Sequence, residues 1–288
     1  MRSLVGVCFL GLLFLEVMCC EGCWKQEREA LIALNSQMGN YLSWGNTNDC
    51  CQWYGVECNT TTGRVSELEL ESMDGRTWQV NYSDLISFKE LKFLSLYLTQ
   101  ISNCTRTGQV LETISSKLLH LEVLILSAEN LTNEILPSLR GFTSLKELVL
   151  DGIGLDSDLH FQGLCAILKN LEILDLSNNN FKDTDIASPL SRLSSLKSLS
   201  LQGSELTMQS IQKNHGFGFA WPSSLQVLSL SRNSLSNSIL SYLNNLPHLK
   251  SLDLSANNLK GSLDISGLLN LTSLKILDFS YNHITNFI

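Results

Sequence analysis

The strongest constraint on this chain is a spacing of leucines, L-x-x-L-x-L-x-x-N-x-L, that returns through most of its length. It is clearest in LEILDLSNNNF from Leu171, LQVLSLSRNSL from Leu225, LKSLDLSANNL from Leu249 and LKILDFSYNHI from Leu274. The segments LKFLSLYLTQI from Leu91, LEVLILSAENL from Leu121, LKELVLDGIGL from Leu145 and LKSLSLQGSEL from Leu196 keep the same frame, and VSELELESMDG from Val65 is a weaker first copy. Leucines at positions one, four, six and eleven do not hold helical phase, whereas L-x-L with interleaved polar residues has the two-residue period of a strand. One copy cannot bury its own apolar face, so the copies have to stack. The expected fold is an α/β solenoid of about nine repeats with a curved parallel sheet on its concave face.

Successive copies start 24 to 30 residues apart, the upper range for leucine-rich repeats. Along each short strand, positions four and six point inward, while three, five, seven and eight point outward. The asparagine at position nine (Asn179, Asn233, Asn257, Asn282) falls where the strand turns inward. Its amide can satisfy buried backbone groups of adjacent coils, each of which would cost about 1–3 kcal/mol if orphaned. Thr99, Glu129, Ile153 and Ser204 stand at that position in other copies. Thr and Ser keep a hydrogen-bonding group and Ile153 does not, so a local irregularity is expected near the fourth repeat. The longer gaps before Leu121 and Leu225 predict loop insertions.

The first residues, MRSLVGVCFLGLLFLEVMCCEG, carry Arg2, an apolar run from Leu4 to Leu15 and small residues near Gly22. This is the pattern of a secretory signal peptide over residues 1–22, too short for the ~20 apolar residues of a spanning helix. An oxidising destination follows for the cysteines after it, Cys23, Cys50, Cys51, Cys58, Cys104 and Cys165. Asn59, Asn81, Asn103, Asn130 and Asn270 head N-x-S/T sequons and are candidate glycosylation sites on a secreted surface. The formal net charge of -8, with no run of lysines or arginines, leaves no basic stripe for a phosphate backbone, and no nucleic-acid partner is expected.

A solenoid needs its first apolar face covered, and residues 23–63 are suited to do it. WKQEREALIALNSQM places Ala30, Leu31, Leu34 and Met38 near helical spacing, and DCCQWYGVEC follows. Four cysteines here allow three connectivities, which spacing does not resolve. The run CW…EREALIAL…LSW…DCCQWYGVECN…TGRVSELEL resembles the N-terminal cap of plant leucine-rich-repeat receptor-like proteins and their receptor-kinase relatives. Traces such as LKGSL at Leu259–Leu263 resemble the plant subclass of the repeat. The resemblance implies a disulfide-bonded cap at 23–63, with Cys23 paired to Cys50 and Cys51 to Cys58, and leucine-rich repeats over 64–288.

Cys50, Cys51 and Cys58 lack a C-x-x-C pair and a nearby histidine, so no metal is expected. No G-x-S-x-G, H-E-x-x-H, P-loop or protein-kinase motif set is present, and no catalytic residue or cofactor is assigned. Asp175, Asp253 and Asp278 recur at position five because the repeat recurs. Recognition is the expected function, and the outward strand positions are its natural place. The first copy presents an acidic corner, Glu67, Glu69 and Glu71 with Ser72, and later copies mostly Ser, Asp and Asn. The second and third present Phe93, Tyr97, Leu98, Val123 and Ile125. An apolar patch of this kind marks a partner site for a peptide or protein, unless the inserted loop between these two repeats covers it.

The resemblance implies extracellular recognition in plant defence or developmental signalling, at the plasma membrane and with a partner kinase as co-receptor. Two alternatives are a secreted binding protein similar to the polygalacturonase-inhibiting proteins, placed in the apoplast, and a non-functional gene fragment. The ninth copy has its strand and Asn282 but lacks a returning half, which is expected of a chain truncated before a transmembrane segment.

Overall fold

A computed structural model describes residues 23–71, 78–97, 99–102, 112–127, 135–156, 159–182, 185–212 and 221–288. The sequence readings that fall on the leader 1–22, on Ser72, Leu98, Asn103, Cys104, Glu129, Asn130 and on both loop insertions lie outside these residues. The strands among them are β1 (Val56–Cys58), β2 (Val65–Glu71), β3 (Trp78–Asn81), β4 (Phe93–Tyr97), β5 (Thr99–Ser102), β6 (Val123–Ser127) and β7 (Glu147–Val149). They continue with β8 (Ile173–Asp175), β9 (Ser198–Ser200), β10 (Val227–Ser229), β11 (Ser251–Asp253), β12 (Lys260–Leu263), β13 (Ile276–Asp278) and β14 (His283–Phe287). One ten-stranded sheet runs β1-β2-β4-β6-β7-β8-β9-β10-β11-β13. β1 is antiparallel to β2, and the pairs beyond it are parallel with each repeat in register with the next. Two further parallel pairs, β3–β5 and β12–β14, lie outside it.

Positions one, four and six of the repeats from Leu91 to Leu254 form the core. Leu94, Leu124, Leu148, Leu174, Leu199, Leu228 and Leu252 are all buried, each against its counterpart on the next coil. Leu277 on β13, the last strand of the sheet, is 41% exposed.

The backbone that leaves each strand is held by position nine. Asn179 Nδ2 donates to the carbonyls of Leu150, Leu176 and Ser177 at 2.8, 2.9 and 3.0 Å, and its Oδ1 accepts from Leu155 N–H at 2.8 Å. Asn233, Asn257 and Asn282 repeat the pattern on Leu201, Leu230 and Leu254 of the preceding coil. Ser204, fully buried, keeps one of these bonds, its hydroxyl donating to Leu176 O at 2.9 Å. Each position-nine side chain therefore serves the coil before it. Ile153 at the same position is buried among apolar side chains, and β6, β7 and β8 pair through this region without a register shift.

Position eight adopts the left-handed conformation in six successive repeats: Gly152, Asn178, Gly203, Arg232, Ala256 and Tyr281 have φ of 62°, 55°, 62°, 56°, 52° and 55°. The tight exit from the strand demands it, so glycine is favoured and the other four residues carry strain.

The cap seals the first coil. Helix α1 (Lys25–Gln37) buries Ala30, Leu31 and Leu34, and buried Asn35 exchanges two hydrogen bonds with Leu42 at 2.8 and 3.0 Å. Disulfides join Cys23 to Cys50 and Cys51 to Cys58, and Trp44 stacks on Trp53 with centroids 5.7 Å apart. Glu27, 1% exposed, accepts from Val65 N–H at 3.0 Å and from Arg64 at 3.3 Å, tying α1 to the start of β2. Arg64 lies 3.8 Å from the centroid of the Trp24 ring and also pairs with Glu90 at 3.3 Å. Burial raises the carboxyl of Glu27 above its ordinary value, against the lowering effect of Val65 N–H and Arg64.

Two predictions test this account. Asn179→Ala is expected to lower the free energy of unfolding by about 2 kcal/mol or more, with Asn270→Ala, an exposed position, near neutral, both read by denaturant unfolding. At position eight glycine should be the favoured residue whichever way the exchange is made. Gly203→Ala, whose new Cβ meets Asn178 Oδ1 at 2.8 Å, destabilises by about 1 kcal/mol or more, whereas Ala256→Gly is neutral to about 1 kcal/mol stabilising.

Candidate functional site

Register converts the repeat into three rows across the sheet. Position three contributes Glu67, Phe93, Val123, Glu147, Ile173, Ser198, Val227, Ser251 and Ile276. Position five contributes Glu69, Ser95, Ile125, Val149, Asp175, Ser200, Ser229, Asp253 and Asp278. Position seven begins with Glu71, Tyr97 and Ser127. It differs from the expectation of an outward residue: Ser127, Ser177 and Ser231 are buried. Small hydroxyls are drawn in there, and Ser177 Oγ donates to Asp175 at 2.5 Å and lies 2.7 Å from Ser200 Oγ.

The structure brings Phe93, Tyr97, Val123 and Ile125 together on β4 and β6, with Phe93 opposite Val123 and Tyr97 opposite Ser127. Phe93, Val123 and Ile125 are half-buried and Tyr97 is 41% exposed. Ser95, 2% exposed, lies between Phe93 and Tyr97 on their strand and forms a low floor between the two rings. The patch extends further than the sequence indicates. Val149 is half-buried opposite Ile125, and Ile173, 38% exposed, stands on β8 beyond Glu147. Both follow from position counting once the strands are known to be in register; the pattern within a single repeat does not announce them.

Carboxylates flank the patch. Glu67, Glu69 and Glu71 stand on β2, the neighbour of β4, and Glu147 and Asp175 stand on β7 and β8. Burial raises the carboxyl of Glu69 above its ordinary value, with adjacent Glu71 adding repulsion. Burial does the same to Glu147, with Asp175 beside it. At the other end of the sheet, hydrogen bonds from the N–H and hydroxyl of Ser280 lower Asp278. Lysines at position two, beside the strands, are used laterally: Lys146 pairs with Glu122 and Lys197 with Glu172, each at 2.6 Å, and Lys250 donates to Gln226 at 2.8 Å, while Arg232 is exposed at position eight after β10.

The described sequons lie off the concave rows. Asn59 follows β1, where its Oδ1 accepts from Thr61 N–H at 2.8 Å; Asn81 closes β3; and Asn270 is exposed in the turn before β13. Cys165 is a free thiol, buried in the helix Leu159–Ile167 beside a small cavity lined by Leu148, Phe161 and Leu193. Burial pushes its thiol up to about 12, which holds it protonated and inert at neutral pH. Among the described residues no group of three or more His, Cys, Asp or Glu is placed to hold a metal ion, and no helix is long and apolar enough to cross a membrane.

Comparison with known proteins agrees with this architecture. Residues 25–59 match the leucine rich repeat N-terminal domain, and 170–193, 224–246, 245–262 and 270–286 match leucine-rich-repeat families. The chain is a leucine-rich-repeat protein with an N-terminal cap. Its sequence relatives are receptor-like proteins of plants. It is 30% identical over 283 residues to Cuscuta receptor 1 of Solanum lycopersicum, covering 90% of this chain and 22% of that protein. It is 34% identical over 163 residues to receptor-like protein 9a of Arabidopsis thaliana, covering 54% of this chain and 17% of that protein. The chain thus spans about a fifth of the length of these relatives. A leucine-rich-repeat protein of Leptospira interrogans shares the fold, with a TM-score of 0.54 at 24% identity over 71% of this chain and 47% of that one.

The electrostatics of the concave face carry a signed prediction. Glu69 and Glu147, raised, contribute stability that is complete below the ordinary carboxylate value and is lost as pH rises through their raised values. Asp278, lowered, contributes stability that is present above its ordinary value and is lost as pH falls through the lowered one. Carboxyl-carbon NMR titration should place the midpoints of Glu69 and Glu147 above 4.5 and that of Asp278 below 3.8.

Proposed function

We propose that this chain belongs to the ligand-binding ectodomain of a plant receptor-like protein and that it recognises a peptide or protein on the patch of Phe93, Tyr97, Val123 and Ile125. The observation that carries the reading is the accessible apolar cluster on β4 and β6, continued by Val149 and Ile173 and flanked by the carboxylates of β2, β7 and β8. The position of Asn59, Asn81 and Asn270 supports it, because glycans there would leave the concave face bare. Residues 1–22 act as the secretory leader, 23–63 as the cap and 64–288 as the repeats, delivering the face to the cell surface. Recognition is then passed to a partner kinase, in defence or developmental signalling, and the chain itself works by binding and not by catalysis. Asn59, Asn81, Asn103, Asn130 and Asn270 are its glycosylation sites.

Selection of a random-peptide phage library on the immobilised chain tests this. Recovered peptides are expected to lose affinity about ten-fold or more with Phe93→Ala/Tyr97→Ala, and to be indifferent to Lys117→Ala in the turn before β6, the circular dichroism of all three being alike. Unchanged affinity in the double variant would overturn the reading.

A further inference from the structure

The concave face specifies what kind of peptide it takes, an inference that rests on the reading above. Among the described residues from β2 to β8, its outward positions carry carboxylates and no lysine, arginine or histidine; Arg232, exposed at position eight after β10, lies beyond them. Beside the strands, Lys146 pairs with Glu122 and Lys197 with Glu172, and Lys92 acts electrostatically on Glu122. The part of the face from β2 to β8 is therefore of one sign, and an occupant of opposite sign is the complementary one.

Geometry adds a spacing. From β2 to β7 is three strand steps, β2–β4, β4–β6 and β6–β7. At about 4.8 Å per step, the carboxylates of Glu67 and Glu69 stand roughly 14 Å from that of Glu147, with the apolar patch between them. An extended peptide crossing the strands covers that distance in about four residues, at roughly 3.4 Å each. Side chains of an extended segment alternate, so residues i, i+2 and i+4 face the sheet together. We propose that the concave sheet binds an extended peptide of the pattern basic–x–apolar–x–basic. Its two cations meet Glu67 and Glu69 at one end and Glu147 and Asp175 at the other, and its central side chain rests over Ser95 between Phe93, Val123 and Ile125. The partial burial of Glu69 and Glu147 makes both anions costly in the free protein, and a bound cation offsets that cost.

The probe is a fluorescein-labelled nine-residue peptide, Gly-Ser-Arg-Ser-Phe-Ser-Arg-Ser-Gly, titrated with the full chain and followed by anisotropy. Three comparison peptides place both arginines side by side, replace them with glutamate, or replace them with serine. Saturable binding is expected for the first peptide, weakened about ten-fold or more in each comparison peptide and by Glu69→Gln/Glu147→Gln in the protein, and reduced by added salt. If the serine peptide binds as well as the arginine peptide and Phe93→Ala/Tyr97→Ala abolishes both, the charge inference fails and the patch stands. If the arginine peptide binds and Phe93→Ala/Tyr97→Ala leaves it unaffected, the patch itself is wrong. Equal binding of the side-by-side peptide overturns the spacing, and absence of binding to any of the four overturns the whole inference.

Discussion

Everything in this solenoid depends on the amide that holds the strand exit of one coil to the coil before it. A coil that turns inward after a three- to five-residue strand buries carbonyls and N–H groups with no sheet partner, and a buried orphan of that kind is expensive. Asn179, Asn233, Asn257 and Asn282 each supply donors to three carbonyls and accept from a neighbouring N–H. The leucines can then stack at constant register because the backbone around them is satisfied. Where asparagine is replaced the solutions differ in kind: Ser204 keeps one bond to Leu176, and Ile153 gives up hydrogen bonding for packing.

Constant register is also what makes a binding surface. Since inward strand positions are taken by leucine in every coil but the last, where Phe279 stands at position six, the outward positions are free to vary without cost to the core, and the sheet aligns each variable position with its counterpart a strand away. Phe93 and Val123 become neighbours though 30 residues apart, and Ile125 meets Val149. The cap contributes by closing the open edge before β2. Glu27 reaches from α1 to Val65 N–H and Arg64, so the acidic strand at the start of the face is backed by a docked helix and two disulfides.

Much of this was legible from residue order. The nine copies, the strand at their centre, the inward leucines and the role of position nine all follow from one period. The cap was legible from its cysteines and helical spacing, although the cysteine pairing came from resemblance. The candidate surface was legible in part: Phe93, Tyr97, Val123 and Ile125 stand out against Ser, Asp and Asn elsewhere in the frame. Val149 and Ile173 did not, because each is a single apolar residue in an otherwise polar copy. The inward retreat of Ser127, Ser177 and Ser231 was also hidden, since alternation alone sends position seven outward. A small hydroxyl that can bond to a neighbouring serine or aspartate loses little by burial, and packing decides where that happens.

By itself the sequence determined the period, the strand, the apolar interior and the identity of the residues offered outward, because each is a local property of one copy and is repeated nine times. Only the tertiary structure decided which outward residues become neighbours, which lysines are spent on Glu122 and Glu172, and how far the acids on β2 stand from Glu147. Those are relations between coils, set by the register and spacing of stacked strands, and they exist only once the copies have buried their leucines against one another.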